Sequence, residues 1–135
     1  MTFQAKNIID PDKLFQMATE FQPIVGLQMS TDDTEALSNR AAHLASIMST
    51  TGKMLADAKY WREKAVKESV LTQLKDAKRS SLPASVMNEL IKAEAKEYNY
   101  LVNWIEQMDK DCKYQIELLR SLISLRKTEM TTFNT

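Results

Sequence analysis

At 135 residues the chain has room for one domain, and two glycines, three prolines, 44% hydrophobic and 27% charged residues favour long helices over a strand-rich fold. Eighteen basic residues balance eighteen acidic ones, which removes the whole-chain case for polyanion binding. One cysteine, Cys112, excludes an internal disulfide and a zinc site built on thiolates; the first ten residues lack the basic and apolar regions of a secretory signal, and no window approaches the ~18 apolar residues of a membrane span. The expected location is therefore a reducing cytoplasm, in a bacterium or an infected host cell.

Residues 1–9 have no periodicity and read as an arm. Asp10 and Pro11 form an N-cap and first-turn pair for a short helix carrying Leu14, Phe15, Met17, Ala18 and Phe21, and Pro23 is expected to end it after about three turns. The apolar connector from Pro23 to Ser30 is expected to pack on the body. Ser30 or Thr31 is the next N-cap, opening a helix over residues 31–79 whose Leu37, Ala41, Leu44, Met48, Thr51, Leu55 and Ala58 make a heptad seam. Gly52 inside this run marks a bend or a close helix approach, and against so regular a seam it is not expected to end the helix. After Ala58 the seam shifts to Trp61, Ala65, Val66, Val70, Leu71, Leu74 and Ala77.

Residues 80–85 are the strongest breaker, with a new helix starting at Leu82 or Val86, and so short a connection makes the flanking helices antiparallel. The second long helix, residues 86–130, carries Val86, Leu90, Ala93, Glu97, Tyr100 and Trp104, then Met108, Cys112, Ile116, Leu119 and Ile123 along one seam. Tyr100 and Trp104 are expected to face the preceding helix. The threonine-rich tail, residues 128–135, should fray. The predicted fold is all-α, a long antiparallel hairpin with a short N-terminal helix. Two helices alone cannot enclose a core, so oligomerisation, a homodimer first, would complete a helical bundle. The predicted oligomer interface is Ile116, Leu118, Leu119, Leu122, Ile123 and Leu125, where the apolar surface is wider than one partner helix can cover.

The chain offers little catalytic material. His43, the only histidine, has Arg40, Ser46 and Ile47 rather than a carboxylate three or four residues away, and reads as a surface or boundary residue. No Glu-x-x-His pair, glycine-rich phosphate loop or Cys-x-x-Cys occurs. Glu94, Glu97, Glu106, Asp109 and Asp111, interleaved with Lys92, Lys96 and Lys110, read as a solvated face, with seam residue Glu97 expected to pair with a lysine or arginine across the hairpin. Cys112 reads as a buried small hydrophobe. No enzyme, cofactor or metal is expected.

Residues 53–79 hold eight basic and four acidic residues around Tyr60 and Trp61. Lys59, Arg62, Lys67, Lys75, Lys78, Arg79, Arg120 and Arg126 could track phosphates while rings stack bases; the competing reading is a solvated face satisfied by Lys59 with Glu63 and Lys64 with Glu68, and Trp61 in the core.

The C-terminal run from Cys112 to Met130 follows an aromatic-rich stretch with Leu119, Arg120, Ser121, Ile123, Ser124, Lys127 and Glu129, and Ala58, Tyr60 and Ala65 echo it faintly in the other helix. It resembles the ends of small uncharacterised all-helical bacteriophage and prophage proteins encoded among early genes near DNA recombination and replication functions. That resemblance covers about a third of the chain, implies a mobile-element origin and transfers no catalytic residue. The expected role is a non-enzymatic phage accessory protein acting through host or phage protein contacts as a helical oligomer. Alternatives are a nucleic-acid-binding accessory factor in phage recombination or replication and a virion or scaffold component.

Overall fold

A computed structural model describes residues 7–27, 29–77 and 82–133 of the chain. They form three helices, α1 (Pro11–Val25), α2 (Thr34–Ala77) and α3 (Ala84–Phe133). The 44 residues of α2 and 50 of α3 make rods of roughly 65 and 75 Å. They run antiparallel, as the two buried clusters show. Met54 and Ala58 meet Leu101, Val102, Ile105 and Met108, and Leu37, Leu44 and Ile47 meet Cys112, Ile116 and Leu119. Helix α1 joins both clusters, Leu14 and Ala18 entering the first and Val25 the second, so it runs parallel to α3 and antiparallel to α2.

The helix ends follow from local chemistry, with several departures from the sequence pattern. Pro11 occupies the first turn of α1, and the Asp10 carbonyl accepts the Leu14 N–H (2.9 Å). Pro23 does not end the helix, which continues to Val25. Burial of Val25 and side-chain donors from α2 and α3 to the last carbonyls hold a turn that proline disfavours. Of the connector expected to pack on the body, Leu27 and Met29 remain exposed. The cap of α2 is Asp33, not Ser30 or Thr31. Its Oδ1 accepts the Glu35 N–H (3.0 Å), while Thr31 lies two residues upstream and accepts the Asp33 N–H (3.2 Å).

Helix α3 starts at Ala84, between the two anticipated positions, because the Pro83 carbonyl accepts from both Val86 and Met87. Residues 78–81 lie outside the described part. Gly52 does not end the helix, which runs unbroken through it as α2, and an added β-carbon there would meet nothing within 4 Å, so a close helix approach does not explain the glycine. The tail is helical to Phe133, the hydroxyls of Thr128, Thr131 and Thr132 each donating to the carbonyl four residues back.

The seam departs from the heptad reading in register. On α2 the second line runs through Arg40, Ile47 and Met54, all buried, rather than Ala41, Met48 and Leu55, which are half-buried. On α3 the first half of the seam is Ala95, Val102 and Ile105, one or two residues from the expected line. Val86, Leu90 and Tyr100 are exposed, and Trp104 packs on α1 instead of facing α2. On the turn side of Trp61 and Lys96 the hairpin has, among the described residues, only its own two helices. There Ser69 and Gln73 are buried while Val70, Leu71 and Leu74 are exposed, the reverse of the expected pattern. The Ser69 hydroxyl, buried in this seam, has no hydrogen-bond partner among the described residues.

Cys112 is fully buried, and burial, reinforced by Asp109 and Asp111 and opposed by Arg40, raises its thiol pKa above the ordinary value. The unfolded chain therefore releases this proton at lower pH than the folded one. The stabilisation is complete below about pH 8.5 and is lost as pH rises through the folded value. Denaturation at neutral pH and at about pH 10 is expected to show a fall in unfolding free energy that is smaller in Cys112→Val. Equal falls in the two proteins would refute it.

Candidate interaction surfaces

The six residues expected at an oligomer interface divide. Ile116 and Leu119 are buried within the chain, and Leu122 and Ile123 pack against the same cluster, because the end of α1 and the start of α2 cover them. Only Leu118 and Leu125, 48% and 53% exposed, stay free on the outer side of α3. The sequence pattern showed a stripe too wide for one helix but not that α1 supplies the second. Exposed apolar side chains gather instead near the turn, at Val70, Leu71 and Leu74 on α2 and at Leu82, Val86 and Leu90 on α3 and just before it.

The basic residues are not brought to one place. Lys59, Lys67 and Lys75 are exposed and Arg62 half-buried along the turn-side half of α2, and Lys78 and Arg79 lie outside the described residues. Arg120 and Arg126 belong to the other end of the hairpin: Lys59 is level with Leu101, and Arg120 lies roughly 30 Å further along α3. Arg120 lines a shallow groove between α2 and α3 with Lys113 and Glu117. Arg126 is engaged by Asp32 and by Glu129 (3.3 Å). Trp61 is turned inward against the first cluster, its indole N–H donating to the Ile9 carbonyl (2.7 Å), with Lys64 5.2 Å from its ring centroid. The anticipated Lys59–Glu63 and Lys64–Glu68 pairs are absent from the described ion pairs.

Residues 7–9 are not a loose arm. Asp57, buried on α2, accepts the Ile9 N–H (2.9 Å) and pairs with Lys53, which also donates to the Asn7 carbonyl (3.0 Å). The acidic face is also less uniform than expected. Asp109 is half-buried and accepts the Thr51 hydroxyl across the hairpin at 2.6 Å, whereas Glu97 is exposed and in no ion pair among the described residues. His43 is exposed. Among the described residues no group of three or more His, Cys, Asp or Glu is arranged to hold a metal, and no helix is long and apolar enough to cross a membrane.

A groove of about 620 Å³ opens between the start of α1 and the first third of α3, lined in part by Asp12, Phe15, Lys96, Glu97, Tyr98 and Tyr100. At its edge Phe15 packs edge-on against Trp104, centroids 5.5 Å apart at 69°, and Tyr100 lies 6.0 Å from the same ring at 50°. Trp104 is fixed by its indole N–H, which donates to Gln22 of α1 (2.6 Å). Phe15 and Tyr100 are nevertheless 53% and 63% exposed. The sequence held one signal of this site, the closeness of Tyr100 and Trp104 in the chain. The contribution of Phe15 depends on the direction of α1, which periodicity does not set.

No family model, curated protein or solved structure matches the chain. The functional reading therefore rests on the surfaces above.

Proposed function

We propose that the protein is a non-enzymatic helical protein that works through protein contacts and completes its core by self-association, a dimer being the simplest form. The observation that carries this reading is the turn-side half of the hairpin, where Val70, Leu71 and Leu74 face outward. A two-helix segment has too little interior to cover its own apolar residues, and a second pair of helices supplies what is missing. The setting we propose is a phage or prophage accessory role, supported by the Leu119, Arg120 and Ser121 run and its neighbours.

Sedimentation equilibrium at micromolar concentration tests the association. The expected result is a dimer that Leu71→Lys with Leu74→Lys converts to monomer, while Leu118→Lys with Leu125→Lys leaves it intact. A monomeric wild-type protein at that concentration overturns the self-association.

A further inference from the structure

The groove beside Trp104 plays no part in the proposed self-association, and its chemistry points to a different occupant. The Phe15 and Tyr100 rings present a large aromatic surface to water on either side of Trp104, whose indole N–H donates to Gln22. Aromatic faces carry the negative part of the ring quadrupole and attract cations. Two carboxylates line the same groove, Asp12 and Glu97. Both are exposed, and neither takes part in an ion pair among the described residues. Lys96 is the cation of the lining. Its long stem lets the ammonium stay in water, so it need not neutralise the two acids.

Opposed alternatives fit less well. A neutral apolar occupant would strip water from two carboxylates without replacing their hydrogen bonds. An anion would meet their charge directly. A guanidinium satisfies both halves of the surface, because it is planar, weakly hydrated, stacks on rings and donates paired hydrogen bonds to carboxylates. Among the described residues a cation already lies over an aromatic ring at Lys64 and Trp61.

We propose that this groove is the docking site for an arginine-bearing segment of a partner protein, the guanidinium lying on the exposed Phe15 and Tyr100 rings and donating to Glu97 and Asp12. The proposal rests on the reading that the protein works through protein contacts, but not on self-association, which is read separately by sedimentation.

The test is an NMR titration of the full-length ¹⁵N-labelled protein at low salt with a capped octapeptide of glycine, serine and arginine. A twin peptide carries citrulline in place of arginine, which keeps the shape and removes the charge. The arginine peptide is expected to shift the Trp104 indole N–H and the Tyr100 and Leu101 amides and to leave the Trp61 indole in place. Tyr100→Ala and Glu97→Gln should each weaken binding roughly three- to tenfold without altering thermal unfolding, since both side chains are exposed. Tyr114→Ala, which removes an exposed tyrosine elsewhere on α3, should bind as the wild type does. Absence of shifts at millimolar peptide, equal binding of the citrulline twin, or equal weakening by Tyr114→Ala would overturn the proposal.

Discussion

Replacing Arg40 by alanine is expected to lower the unfolding free energy by about 3 kcal/mol, a large effect for one charged residue. The Arg40 side chain is 6% exposed, and its Nη2 donates to the carbonyls of Ile24 (2.8 Å) and Leu27 (3.0 Å) and to the Gln115 side chain (3.3 Å). Gln115 in turn donates to the Val25 carbonyl (2.7 Å). Two residues, one from each long helix, thus satisfy carbonyls at and just beyond the end of α1, where the helix dipole also favours a cation. Truncation removes the side-chain donor from these carbonyls and from Gln115, and opens a gap at the junction of α1 with the two long helices. Chemical denaturation measures the loss, and hydrogen exchange should show the amides of α1 losing protection before those in the middle of α2. A change below about 1 kcal/mol would mean that water takes over the role of the guanidinium.

Ile105→Ala is expected to cost about 3 to 4 kcal/mol, since the residue is fully buried where all three helices meet, against Leu14, Ala18, Met54 and Ala58. The side chain loses its transfer free energy, and long rigid helices on three sides restrict collapse into the space left behind. Leu118→Ala removes a similar volume from a position 48% exposed and should cost under about 1 kcal/mol in the monomer. Denaturant midpoints at equal slope compare the two. Similar losses at both positions would show that the three-helix junction is not the stability centre.

The three helices and their order were legible because apolar periodicity, Pro11 in the first turn of α1 and the breaker around Pro83 all act locally, although the Asp10 side chain makes no capping hydrogen bond. The registers of the seams were harder. Arg40 did not look like a core position, because a charged residue is buried only when tertiary acceptors exist for it, and these lie 13 to 16 residues away at the end of α1 and across the hairpin on Gln115. On α3 two adjacent lines of apolar residues compete for the same seam. Small Ala95 and Val102 won the line facing α2, which left Trp104 to α1 and Tyr100 to solvent. The candidate surfaces were legible only in part for the same reason. The width of the stripe at Ile116 to Leu125 was visible, but its cover, α1, is an element whose docking direction is a long-range property. Glu97 looked like a seam residue and turned out to be exposed in a groove, a difference of one register step.

The placement of the two clusters also bears on how the chain reaches this structure. A hairpin would ordinarily zip from its turn, where contacts are closest in sequence, but here the turn-side half buries Ser69 and Gln73 and keeps its leucines outside. The first strongly apolar meeting is Ala58 with Leu101 and Val102, which closes a loop of about 45 residues, and the Leu37 to Leu119 meeting closes one of about 80. The transition state for folding should therefore centre on the middle of the rods rather than on the connection between them. The protein would fold more slowly than its helical content suggests, and changing the length of the connection would alter its rate only slightly.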